Sequence, residues 1–201
     1  MTVSLNSHLY GSDTALLLDD NRDVADADLK QLVDFDDALR RRIKTVMLSR
    51  TKITDRGIKY LNALPKLASL FLSSASITDA APLDDLPRSL EVLSLDDTEV
   101  GDRGVSKLSS LPKLRILRLK GTKATDRTVV ELLKAGSLRM VCLDETETSW
   151  IARRRLETHM ALNFGGHAAI ADPKYYAQSL LRLLTLRARA DQPQFSYGIA
   201  A

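Results

Sequence analysis

At 201 residues and 22.3 kDa the chain suffices for one cored domain with an appendage, and two full domains are not expected. A hydrophobic share of 44% with 27% charge excludes both a disordered and a fibrous protein. The net charge of +3 divides into −4 over residues 1–42, +3 over 43–149 and +4 over 150–201, which reads as an ordinary solvated surface or else as a basis for a head-to-tail contact or an anionic partner near the C-terminus, while the mixed signs of the middle give no continuous nucleic-acid stripe.

The opening MTVSLNSHLYGSD lacks a basic segment followed by an apolar one, and no later stretch has the ~18 to 20 apolar residues of a membrane span. A cytosolic protein is expected. A degenerate motif then appears as Leu16, Leu18, Asn21, Val24 and Asp26, followed by Leu29 and Leu32. It becomes regular at Ile43, Val46, Leu48, Thr51, Ile53 and Asp55. The set returns as Leu67, Leu70, Leu72, Ala75, Ile77 and Asp79, then as Leu90, Leu93, Leu95, Thr98, Val100 and Asp102. Two more copies follow: Leu114, Leu117, Leu119, Thr122, Ala124 and Asp126, then Leu138, Val141, Leu143, Thr146 and Thr148. Between Leu48, Leu72, Leu95, Leu119 and Leu143 the steps are 24, 23, 24 and 24 residues. This is the period and form of a leucine-rich repeat, L-x-x-L-x-L-x-x-N/C-x-L, with Thr or Ala in the Asn/Cys slot.

Within one copy, Val46-x-Leu48 alternates like a short strand, whereas Gly57-Ile58-x-x-Leu61-x-x-Leu64 has helical spacing ended by Pro65. The apolar set of one repeat cannot be buried alone, so neighbours must stack around a shared core. Thr51, Thr98, Thr122 and Thr146 stand at the corner after the strand, where a hydroxyl can satisfy backbone groups freed by the turn. Asp55, Asp79, Asp102 and Asp126 stand where a helix begins, with carboxylates suited to cap N–H groups. As metal ligands they would form a ladder with no converging cage.

The segments TVMLSRTKITDRGIKYLNALPKL and VLSLDDTEVGDRGVSKLSSLPKL resemble the T-D-x-G-L class of leucine-rich repeats found in bacterial proteins and in F-box-associated repeats. The resemblance covers residues 43–149 and extends in weaker form to 14–42. It implies an α/β solenoid, a horseshoe with a parallel sheet on the concave side and short helices on the convex side, commonly used to bind proteins. Two departures are visible: Ala81-Pro82 replaces the glycine in the second regular repeat, implying an irregular convex segment, and Thr128 replaces it in the fourth. No F-box-like segment precedes the repeats.

Residues between and just after the core leucines point away from the core. They form columns: Thr45, Ser69, Val92, Ile116, Met140; Met47, Phe71, Ser94, Arg118, Cys142; Ser49, Ser73, Asp96, Lys120, Asp144; and Arg50, Ser74, Asp97, Gly121, Glu145. Strands ~4.8 Å apart should bring Met47 and Phe71 into one apolar patch and Val92, Ile116 and Met140 into another. Such patches mark a contact surface or lie under the chain's own C-terminal segment. The expected partner-binding set is therefore Met47, Arg50, Phe71, Val92, Asp96, Ile116, Arg118, Lys120, Met140 and Asp144. Among its charges, Lys120 falls between Asp96 and Asp144, and Arg118 lies diagonal to Asp97 and Glu145, forming a salt ladder.

After Thr148 the repeat stops. Ser149 to about Leu162 reads as a capping helix in which Trp150, Ile151 and Leu156 seal the last repeat. Asp172-Pro173 starts a second, amphipathic helix with Tyr176, Leu180, Leu183 and Leu184 on one side, and Gln192 to Ala201 reads as a mobile tail. The expected division is a solenoid over 1–149 and a helical extension over 150–201.

Cys142 is the only cysteine, so a disulfide within the chain and a Cys-based zinc site are excluded. His8, His159 and His167 accompany no nucleophile motif, phosphate loop, dinucleotide fingerprint or H-E-x-x-H. The expectation is a non-enzymatic module without cofactor or metal, holding a protein, with no nucleic acid and no membrane span. The competing reading is a structural subunit of a larger assembly, anchored by the amphipathic C-terminal helix.

Overall fold

The computed structural model describes residues 3–10 and 15–164. Short apolar-alternating segments become strands β1 (Leu9–Tyr10), β2 (Ala15–Leu17), β3 (Thr45–Met47), β4 (Ser69–Phe71), β5 (Val92–Ser94), β6 (Ile116–Arg118) and β7 (Met140–Cys142). They form one sheet in chain order, antiparallel between β1 and β2 and parallel thereafter. The register advances by one whole repeat per strand, aligning Leu16, Val46, Leu70, Leu93, Leu117 and Val141. All six are fully buried, as are Leu48, Leu72, Leu95, Leu119 and Leu143 just after the strands. A slip of one residue would turn the first column outward, so burial fixes the pairing.

Four of the strands, β3, β5, β6 and β7, end in a corner built by a threonine. The hydroxyls of Thr51, Thr98, Thr122 and Thr146 donate to the carbonyls of Leu48, Leu95, Leu119 and Leu143 at 2.6 to 2.7 Å. Immediately before that position the backbone is left-handed at six successive corners, Asp20, Arg50, Ser74, Asp97, Gly121 and Glu145, with φ between 55° and 64°. Only one of the six is glycine. Their amides stay in the inter-repeat ladder, as when Arg50 N–H donates to the Ser73 carbonyl at 2.9 Å.

The return halves carry short helices: α1 (Asp26–Leu29), α2 (Gln31–Asp34), α3 (Asp37–Arg42), α4 (Asp55–Ile58), α5 (Asp102–Leu108) and α6 (Asp126–Leu132). Where Ala81-Pro82 stands, the helix shrinks to a 3-10 turn over Leu83–Asp85, in keeping with the loss of a helix start there. The aspartates at the helix starts bond across repeats. Asp55 accepts from the Thr78 amide and hydroxyl at 2.7 and 2.6 Å, and Asp126 accepts from those of Ser149 at 2.6 and 2.7 Å. Asp102 accepts four bonds, from the amide and hydroxyl of both Thr125 and Thr128. The weaker first repeat joins the ladder through Asp26, which takes the Thr54 amide at 2.8 Å. Asp26, Asp102 and Asp126 thus hold the helix start of the next repeat, and Asp55 holds the equivalent turn at Thr78. An aspartate's own helix is capped by the preceding threonine where one is present, as Thr54 caps α4 and Thr125 caps α6.

This ladder explains the glycine of the motif. A Cβ on Gly104 would lie 2.8 Å from an Asp79 carboxylate oxygen and 2.7 Å from Val100 Cγ1. Thr128, in the same slot one repeat later, is fully buried and points its hydroxyl at Asp102 at 2.6 Å. Four residues before Thr128 stands Ala124 where Val100 precedes Gly104, so the Cγ that would meet a Cβ is absent there and the threonine hydroxyl can reach the carboxylate.

Both ends of the described core are closed. At the start, β1 pairs antiparallel with β2, Leu5 is fully buried, and the 3%-exposed Asp28 accepts from the Val3 and Ala25 amides at 2.8 and 2.9 Å. At the other end α7 (Trp150–Phe164) buries Ala152, Leu156 and Met160, spaced four apart on one side of the helix. Leu156 meets the expectation of a sealing residue. Trp150 and Ile151 do not: they are 77% and 62% exposed, because the helix starts at Trp150 and rotates both to the opposite side. The amphipathic segment after Asp172 and the tail lie outside the described residues.

Candidate functional site: the outer face of the sheet

The sheet face opposite the leucine core collects the expected binding residues on adjacent strands. Val92, Ile116 and Met140 are direct neighbours in the register of β5, β6 and β7, and all three are half-buried. Two parallel spacings of ~4.8 Å separate the outer members, which makes an apolar strip about 10 Å long. Met47 and Phe71 are partners between β3 and β4. Met47 is half-buried, but Phe71 is only 9% exposed. The patch is less accessible than outward alternation alone implies.

Beside the strip lie charges whose pairing differs from the simple column order. Arg118 turns to Asp96, donating through Nε at 2.6 Å, and Asp96 also accepts the Lys120 amide at 3.0 Å. Asp96 is 5% exposed and saturated by these partners, so it holds Arg118 in place and has little reach toward a ligand. Lys120 pairs with Glu145 at 3.1 Å instead of with Asp96 or Asp144, and this partner raises its pKa above the ordinary lysine value. Arg50 pairs with Asp20, whose carboxyl is held below the aspartate range mainly by that hydrogen bond. Sequence columns miss this pair because Asp20 belongs to the degenerate first repeat.

Asp144 accepts from the Cys142 thiol at 3.2 Å. Cys142 is 1% exposed, and burial pushes its pKa up to about 11. It is a packed thiol at neutral pH, far from the thiolate form that attacks electrophiles. Between the apolar and charged parts, Ser73 and Ser94 exchange a hydrogen bond at 2.9 Å. The face therefore offers an apolar strip, an Arg118 guanidinium fixed beside it, and exposed ion pairs at Arg50–Asp20 and Lys120–Glu145. Such a set can dock a surface with apolar and acidic groups. Among the described residues no group of three or more His, Cys, Asp or Glu could hold a metal ion, and no helix is long and apolar enough to cross a membrane.

No protein-family model matches the chain, and no curated protein matches it. Among solved structures, a leucine-rich-repeat protein of Leptospira interrogans is similar over 65% of this chain at 23% identity, with a TM-score of 0.49. Internalin C2 of Listeria monocytogenes is similar over 68% at 19% identity and a TM-score of 0.44, and a second internalin of that organism, inlF, over 79% at 16% and 0.44. The chain spans 31%, 73% and 46% of the lengths of these three. By its repeat period and strand register the chain is an α/β leucine-rich-repeat solenoid.

Proposed function

We propose that this protein is a non-catalytic recognition module that holds a protein partner against the outer face of its sheet. The observation that carries this reading is the strip of Val92, Ile116 and Met140: three large apolar side chains from different repeats, aligned away from a core that is already closed. Apolar side chains in a row on a hydrated face, bordered by a fixed arginine, have the composition of an interface centre with its polar rim. Met47 and its register partner Phe71 extend the same surface toward Arg50. Lys120 and Asp144 belong to the rim, where charges select partners more than they add affinity.

The test is a comparative capture from the native host. Wild-type protein and an Ile116→Asp variant are used as baits, with circular dichroism confirming that the variant melts within a few degrees of wild type. A protein retained by wild type and lost on Ile116→Asp supports the face. Equal retention by both baits places binding elsewhere.

A further inference from the structure

We propose that α7 is a dimerisation helix, which packs antiparallel against α7 of a second copy of this chain. Six large apolar side chains are exposed among the described residues, and three of them, Trp150, Ile151 and Leu162, stand on this one helix at 77%, 62% and 81%. Ala152, Leu156 and Met160 already bury the other side of α7 against the last repeat. The outward side of α7 carries large apolar side chains near both of its ends, with Arg154 and Thr158 between them.

The outward side is complementary to itself. With ~100° per residue, Arg154 and Thr158 stand nearly opposite Leu156, with Trp150 and Ala161 on one flank and Ile151 and Leu162 on the other. A two-fold axis passing between the two helices, perpendicular to both and level with residue 156, keeps each flank on its own side and reverses the chain direction. Trp150 then meets the small Ala161 of the second copy, Ile151 meets its Leu162, and Arg154 meets its Glu157, each contact occurring twice. All six of these positions except Glu157 are exposed, and Glu157 is half-buried. Within one chain Arg154 and Glu157 make only a loose ion pair at 3.5 Å, with side chains 77% and 40% exposed, so both charges can turn to the second copy. A large residue facing a small one, two aliphatics facing each other and opposite charges in register are what an isologous helix pair requires.

Light scattering on the full chain across a concentration series tests this. The expected species has about twice the 22.3 kDa chain mass. Trp150→Asp should return it to a monomer that still melts cooperatively, since Trp150 is outside the core. Arg154→Glu alone should raise the dimer dissociation constant about ten-fold by setting two acidic groups together, and Arg154→Glu with Glu157→Arg should restore it. A monomeric wild type, or a dimer indifferent to Trp150→Asp, overturns the proposal. A double swap that fails to restore a dimer lost in the single variant overturns the antiparallel register.

Discussion

Asp102 shows how one side chain ties two repeats together. Burial alone would raise its pKa, but hydrogen bonds from the hydroxyls and amides of Thr128 and Thr125 outweigh that and hold the carboxyl below the usual aspartate value. A folded pKa below the unfolded one adds stability that is present above the unfolded value, near 4, and is lost as pH falls through the folded value. Asp126 is lowered in the same direction by Ser149. The melting temperature should therefore hold from pH 7 to about 5 and fall below about 4, and Asp102→Asn should flatten that acid limb. At neutral pH, Asp102→Ala should cost ~2 kcal/mol or more in urea unfolding, because it strands the buried donors of Thr128. Gly121 gives a second check. At φ 64°, with its missing Cβ directed at the Asp97 carboxylate, Gly121→Ala should lose ~1 kcal/mol or more. Cys142 should resist iodoacetamide in the native state and react once urea unfolds the chain, since its pKa of about 11 and burial suppress the thiolate.

The strands were legible in the sequence because each needs only one local fact, the alternation around the core leucines. Leu95→Ala or Leu119→Ala should destabilise by ~2 to 5 kcal/mol in denaturant unfolding, and a loss below ~0.5 kcal/mol would contradict the register. The corner threonines were legible for the same reason, since their acceptor lies three residues away. The aspartate ladder was only half legible. Capping chemistry follows from residue type, but the capped helix is some 23 residues further on, and spacing within one repeat cannot reveal it. The entry strand β1 and its Asp28 clasp carry no repeat signal at all. In α7 the helix was legible and its rotation was not: Trp150 is the most hydrophobic-looking anchor, yet the Ala152, Leu156 and Met160 stripe wins because it fits the groove left by the last repeat. Truncation at Thr148 should expose that groove and cause aggregation, and a soluble, cooperatively melting 1–148 fragment would contradict the capping role of α7.

Taken as a whole molecule, the solenoid converts a 24-residue period into rows of side chains, and any function of the outer face depends on rows rather than on a convergent cluster. Val92, Ile116 and Met140 align in one row as the sequence columns imply, whereas Phe71 and Asp96 lie deeper than their outward direction implies, because direction says nothing of how deeply neighbours bury a side chain or consume its charge. The most direct measurement is the dissociation constant of the captured partner for two variants of equal melting temperature. One carries Val92→Ala, Ile116→Ala and Met140→Ala on the outer face, and the other carries Arg103→Ala and Arg127→Ala on exposed helix positions. The outer-face variant should bind at least ~30-fold more weakly, the ~2 kcal/mol typical of a truncated interface centre, and the helix-side variant should bind like wild type. Unchanged affinity in the first variant, or an equal loss in the second, would contradict the outer face as the binding surface.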